Sequence, residues 1–309
     1  MSQWNLRKQC LVCQESHLRL FRQEKNSITS NPILKPYFDQ DSLLLACQNC
    51  EMAFVESIPN DSLFYSALYA DGERDISIDY KYSGKLKIFK ETLATLKKYI
   101  PEGKLLDIGT GTGVFLSLAS TRYNATGIEL GKAAREFAQA QGLNVLEASI
   151  DQLPFSDQTF DVVTLIDVLE HLSDPFRAIQ EIERVLKPGG VLYIKVPNYK
   201  AQAAKQNTLQ FLRLSKAGIM SDYVHINHFC SPSLAKFVSR LGFSVMEQGY
   251  SASEIWDLNW QEAPRSKNYR IIYNTLVQLI SGFLTIISIF FKKDFGLNIF
   301  IVAKKREAP

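Results

Sequence analysis

Leu105-Leu106-Asp107-Ile108-Gly109-Thr110-Gly111-Thr112-Gly113 runs an apolar segment straight into three glycines at alternate positions, and a helical pattern begins at Val114. A strand that breaks into such a turn and then a helix is a ligand-binding corner. Glycines there permit positive backbone torsions and let a ligand approach the main chain, while N–H groups at the helix start favour an anionic group. A dinucleotide fingerprint needs its third glycine three positions after the second, which is Val114 here; the third glycine is instead Gly113. The spacing disfavours a nicotinamide cofactor.

Outward from this corner, short apolar runs alternate with helical patterns. Upstream, Tyr82, Leu86, Phe89, Leu93 and Leu96 recur at spacings of three or four within 62–99, and Pro101-Glu102-Gly103 stops that helix. Downstream the patterns predict helix 114–122, strand 125–128, helix 133–141, strand 144–147, strand 160–166, helix 175–186 and strand 191–196. Repeated strand-helix units imply an α/β fold with a parallel, doubly wound sheet. Regularity then weakens, leaving room for a cap or lid over 199–230. Helix 233–241, strand 243–247 and a final strand at 297–303 follow. The expected organisation is a cysteine-bearing module at 1–60, a helical lead-in at 61–100, a core at 101–250, and an apolar helical insertion with the last strand at 251–309.

Between about Leu86 and Phe243 the chain resembles the class I (Rossmann-like) S-adenosylmethionine-dependent methyltransferases. The resemblance starts at Asp107 and the loop Gly109, Thr110, Gly111 and Gly113, which in that family wraps the methionine portion of the cofactor. Thr126-Gly127-Ile128-Glu129-Leu130 places Glu129 where the family sets a carboxylate on the ribose hydroxyls, with Leu130 beside it; two acceptor oxygens can take both hydroxyl protons. The run 148–155 looks like the adenine loop, with Ser149 in place of the usual acidic residue. A hydroxyl accepts the adenine amino group more weakly than a carboxylate, so adenine would rest on backbone groups at Ser149 and Ile150, or on Asp151. Phe160–His171 looks like the fourth-strand motif, with Asp167 and Val168 at the strand's C-terminal end. The resemblance implies a mostly parallel seven-stranded sheet.

Val168-Leu169-Glu170-His171 also resembles quinone-type O-methyltransferases, in which the acid and His lie beside the acceptor and assist a metal or a proton transfer. Displacement at a sulfonium carbon asks the protein chiefly for alignment and desolvation; a neutral imidazole can take the proton of an acceptor hydroxyl. His171, His225 and His228 are the candidates, and each has an equally ordinary reading as a structural hydrogen-bonding residue.

Four of the five cysteines form two pairs, Cys10/Cys13 and Cys47/Cys50. Two such knuckles supply the tetrahedral sulfur set that Zn2+ prefers, and an all-cysteine set reads as a closed structural site. Similar modules precede some class I methyltransferases, including sugar C-methyltransferases. Cys230 reads as a buried free thiol.

The chain's 309 residues, 46% hydrophobic, allow one substantial core and a satellite module. A formal charge of +3 without a dense basic tract argues against a nucleic-acid partner and for a small-molecule or lipid-linked acceptor. The first ten residues hold no apolar stretch of signal-peptide length, so a cytoplasmic location is expected. Ile271–Phe291 is uncharged and long enough to span a bilayer. Its stripe of Asn274, Gln278, Ser281, Thr285 and Ser288, and the strand that follows, favour helices packed on the core that partly enter a membrane or homodimer interface. The expected function is methylation of a hydroxyl, or as second choice a carbon, on a small-molecule, glycan-precursor or quinone-like acceptor, with zinc as a structural ion. The competing reading is a catalytically silent scaffold.

Overall fold

The computed structural model describes residues 4–25, 41–59, 85–211, 225–251 and 296–307, with Thr275 and Leu279 as isolated helical positions. Its main sheet grows from β6 (Lys104–Ile108), an apolar run buried from Leu105 onward because it lies between two parallel partners. On one side is β7 (Asn124–Ile128), followed by β8 (Val145–Leu146); on the other is β9 (Phe160–Ile166), then β10 (Leu186–Pro197). Late in the chain, β13 (Asn298–Lys305) inserts antiparallel between β10 and β12 (Phe243–Ser251), giving the seven-stranded order β12-β13-β10-β9-β6-β7-β8. The chain winds outward from β6 to β8 and then returns to β9. The reversal falls between β6 and β9, and the C-terminal side of such a switch point is where open α/β sheets bind ligands.

Alternate side chains of the central strands serve two layers. Leu105, Val162 and Tyr193 pack with helices α1 (Leu86–Tyr99), α2 (Val114–Ala119) and Ala138 of α3 (Lys132–Ala140). Their neighbours Leu106, Val163 and Leu192 face α4 (Pro175–Val185) and, further on, α6 (Ser231–Arg240). The sheet is therefore covered on both faces, as its unbroken apolar strands require. Helix α2 stops at Ala119, short of the expected Arg122, where Ser120 and Thr121 turn their hydroxyls onto the Leu116 and Leu118 carbonyls at 2.8 and 2.7 Å. Strand β10 begins earlier than the pattern indicates: Leu186 pairs with Phe160, and the register shifts before Val191.

The N-terminal residues form two small sheets. Strands β2 (Leu18–Lys25), β3 (Asp41–Cys47) and β4 (Ala53–Val55) are antiparallel neighbours, and their sheet is completed by β11 (Asn227–His228), more than 170 residues downstream of β4. β1 (Trp4–Leu6) pairs with β5 (Ser57–Pro59). Within the span expected to form a cap, α5 (Tyr199–Phe211) packs Tyr199 and Ala203 against Leu44, Ala46 and Ala53 of the small sheet. Val12, Met52 and Phe54 are fully buried in the same apolar cluster as Leu106, Phe229 and Phe237. One core thus runs from the main sheet into the cysteine module. Among the described residues no helix is long and apolar enough to cross a membrane. The stretch Ile271–Phe291 lies outside the described residues apart from positions 275 and 279.

Candidate active site

Gly109, Gly111 and Gly113 all adopt positive φ, at 68°, 55° and 82°. They do so for different reasons. A Cβ on Gly109 would sit 2.6 Å from Val168 Cγ2, and one on Gly113 would sit 2.4 Å from Leu143 Cδ1, so both are packing glycines. A Cβ on Gly111 would meet nothing within 4 Å among the described residues, so that side of the residue is open. The Gly111 amide donates to Glu129 Oε2 at 2.8 Å, and the Gly131 amide donates to Glu129 Oε1 at 2.7 Å. These two bonds fix the carboxylate at the end of β7, beside the glycine loop. Leu130, half exposed, is next to it. Beneath the loop, Asp107 is buried and accepts the Thr164 hydroxyl at 2.7 Å; burial pushes its pKa up to about 6. Thr110 is buried beside it.

The loop after β8 is strapped to α4. Arg184 donates to the Leu153 and Phe155 carbonyls and pairs with Asp157 and Glu181, while Glu181 Oε2 accepts the Leu153 amide. Arg177 Nε reaches the Asp151 carbonyl at 3.0 Å. Ser149 Oγ accepts the Asp151 amide at 3.2 Å, a local turn, and Ile150 is buried. The segment expected to face adenine is thus held at both ends.

At the end of β9 the chain turns sharply, and Asp167 takes the left-handed conformation with φ 58°. Its Oδ2 lies 2.7 Å from Lys85 Nζ and its Oδ1 2.6 Å from Lys195 Nζ. Burial alone would raise the Asp167 carboxyl, but the two ammonium charges outweigh it and hold it well below the usual carboxylate range. Val168 follows, its methyl against Gly109. A single 3-10 turn, Leu169–His171, then carries Glu170 and His171. Glu170 is 2% exposed, and among the described residues neither of its oxygens has a hydrogen-bond partner. Burial first, and then the Asp167 charge, push its pKa up to about 8.

His225 comes to this turn from far along the chain. Its ring centroid lies 4.7 Å from that of His171. A Glu170 oxygen and ring nitrogens of His171 and His225 all fall within 4.8 Å of one another, close enough to hold one cation, while His171 Nε2 at 3.9 Å from Glu170 Oε1 is beyond hydrogen-bond reach. Burial, and then the neighbouring histidines, hold His225 well below the ordinary imidazole pKa, so it is neutral near pH 7. His228 stands apart from this group in role: it is buried in β11, its ring lies 6.5 Å from that of Tyr199, and burial lowers its pKa to about 3.

Lys85, Lys195 and Gly131 were not singled out by sequence reasoning. Lys195 carried a signal, a lone charge within Val191-Leu192-Tyr193-Ile194-Lys195-Val196. Lys85 and Gly131 carried none that distinguishes them from surface residues.

The four paired cysteines meet. Cys10 Sγ lies 3.3 Å from Cys50 Sγ, Cys13 Sγ 3.4 Å from Cys47 Sγ, and all four sulfurs are within 4.8 Å of one another. None is disulfide-bonded. The knuckles are built alike: the Gln14 amide donates to Cys10 O and the Glu51 amide to Cys47 O, and both residues have positive φ.

Residues 106–194 match the family model of the methyltransferase domain. A ubiquinone biosynthesis O-methyltransferase of Pseudomonas fluorescens is 34% identical over 181 residues, 54% of this chain and 72% of that protein. An uncharacterised protein of Methanocaldococcus jannaschii is 36% identical over 109 residues, and the chain spans about half of it, 52%. Among solved structures, a chain from the complex between the Haloferax volcanii Trm112 methyltransferase activator and a methyltransferase superposes with a TM-score of 0.52 at 18% identity. That likeness covers 78% of this chain and 97% of the other, and it is one of fold.

Proposed function

We infer that this chain, which belongs to the class I S-adenosylmethionine-dependent methyltransferases, passes the cofactor's methyl group to a hydroxyl of a small-molecule or lipid-linked acceptor. The observation that carries the reading is the Glu129 carboxylate, locked by the Gly111 and Gly131 amides next to the open side of Gly111. A ribose diol fits a carboxylate so held, and the methionine end fits the bare main chain at Gly111. Bound there, the sulfonium would supply an already activated methyl carbon. The remaining work falls to the chain's own residues. Asp107 and Thr164 support the loop, while Ser149, Ile150 and Asp151 border the adenine end. On the acceptor side, His225 is neutral and beside His171, so a ring nitrogen of this pair can take the hydroxyl proton as transfer proceeds, with the Glu170 carboxyl nearby. His228, turned toward Tyr199, is left a structural part.

The Pseudomonas fluorescens relative, named a ubiquinone biosynthesis O-methyltransferase, supports an oxygen acceptor. The four sulfurs fit zinc: a Zn–S bond of about 2.3 Å puts ligands of a tetrahedron roughly 3.8 Å apart. Cys10, Cys13, Cys47 and Cys50 would hold the ion with no open position, a structural role. The apolar stretch 271–291 is the segment proposed to touch a membrane or a second copy; a full-length protein that never pellets with vesicles ends the membrane form of that idea.

Isothermal titration of the folded, zinc-loaded chain with S-adenosylmethionine tests the central reading. Saturable binding is expected. Its absence would leave the fold as a scaffold for other partners.

A further inference from the structure

Arg7 lies three residues before the first cysteine, yet it is only 8% exposed and its guanidinium points into the acceptor side of the site. Nη1 donates to the Ile226 carbonyl and to Asn227 Oδ1, each at 3.0 Å, and Nη2 donates to the Ser173 carbonyl at 3.3 Å. Ser173 follows the turn that carries Glu170 and His171; Ile226 follows His225 directly. One planar fork therefore ties together the two segments whose histidines face each other, which a point-like ammonium could not do as well. Other bonds close the same link. The Ile226 amide donates to the Glu170 carbonyl at 3.0 Å, and Asn227 Nδ2 donates to the Leu169 and Leu172 carbonyls.

The cysteine module holds the other side. The Arg7 amide donates to the Glu56 carbonyl, the Val55 amide donates to the Ile226 carbonyl, and β4 pairs with β11. The second knuckle reaches in as well: the Glu51 carbonyl accepts the Tyr199 hydroxyl at 2.6 Å. Arg240 of α6 donates to the Val12 carbonyl inside the first knuckle.

We propose that Arg7 is a positioning residue that sets the His171–His225 pair, and that the cysteine module, through Arg7 and β4, keeps the acceptor side of the site in register with its metal. The proposal rests on reading those two histidines as acceptor-side groups. It assigns the module to the site's architecture and not to a separate recognition task. The cofactor side, built from β6, β7 and their loops, makes none of these contacts, so the two halves should respond differently.

The test uses full-length, zinc-loaded protein and histidine side-chain NMR, with His171 and His225 assigned from His171→Gln and His225→Gln. In Arg7→Ala, zinc content should stay at about one per chain and S-adenosylmethionine affinity within about twofold of the parent, while the His171 and His225 resonances shift and broaden. Arg7→Lys should restore part of the parent spectrum. Asn227→Ala, which cuts the link from the core side, should give the same signature and serves if Arg7→Ala does not fold. Stripping zinc from the parent with a chelator should reproduce it while cofactor binding persists. Histidine resonances that stay at parental positions in both variants would overturn the positioning role, and resonances unchanged on zinc removal would overturn the coupling. A parent that binds no S-adenosylmethionine would instead strike the functional reading, leaving the histidine comparison intact.

Discussion

Lys195, 1% exposed within a strand of apolar neighbours, sets its ammonium 2.6 Å from Asp167 on the adjacent strand's end. Asp167 has a second cation, Lys85, on its other oxygen. Lys195→Met removes one charge-assisted bond and leaves Asp167 paired with Lys85, so it should lower stability by about 1.5–3 kcal/mol, read as a shift in the urea midpoint. A midpoint that does not move would mean that Lys85 alone satisfies Asp167.

Glu129→Ala should leave the sheet intact but weaken S-adenosylmethionine binding by an order of magnitude or more, the scale of about 1.5–3 kcal/mol for hydrogen bonds to a charged group. Titration calorimetry reads it. Unchanged affinity would remove the ribose assignment.

Two glycines two residues apart should fail in opposite ways. Gly113→Ala forces a Cβ to 2.4 Å from Leu143 Cδ1 at φ 82°, so it should cost roughly 3 kcal/mol of stability from strain and overpacking together. Gly111→Ala meets open space, so only backbone strain of about 1–2 kcal/mol is expected, while its methyl group enters the cofactor's place and binding is lost. Equal losses of stability would show that the Gly111 side is not open.

Asp107 should make the apo protein less stable as it ionises. Its folded pKa of about 6 is above the ordinary 3.8, so its contribution is fully present below 3.8 and is lost as pH rises through 6. Asp107→Asn, whose amide oxygen can still accept the Thr164 hydroxyl, should therefore gain about 1–3 kcal/mol at pH 7 and nothing near pH 4. Thermal melts of both proteins at the two pH values decide it; a gain equal at both would point to packing and not to charge.

Metal analysis of protein prepared without chelator should give about one zinc per chain, and Cys13→Ser should lose most of it. Because Val12 and Met52 share the main apolar cluster, stripping the ion should also lower the melting temperature of the whole chain. A preparation free of zinc that melts normally would discard the metal-bound module.

The core was legible because its signals are local. Alternating apolar runs placed β6, β7 and β9 within a residue, and the glycine spacing located the corner where Glu129 is held. Local pattern could also pair the cysteines within each knuckle. It could not show that β11 completes the sheet of β4, since a two-residue strand has no periodicity and its partner is far away in the chain. Nor could it foresee Arg7, whose neighbours Asn5, Leu6 and Lys8 read as an ordinary polar terminus. His225 and His228 looked equivalent in sequence. The structure separates them because one lies beside the His171 ring and the other is embedded in a strand against Tyr199.

The antiparallel insertion of β13 has a bearing on how the molecule is made. Until residues 298–305 arrive, β10 and β12 border an empty slot one strand wide, about 10 Å across, with two unpaired rows of amides and carbonyls on its walls. Such a groove would invite any extended peptide, including a sibling nascent chain. A fragment cut before Asn298 should accordingly clump on expression, and a synthetic copy of the missing strand added in trans should keep it in solution.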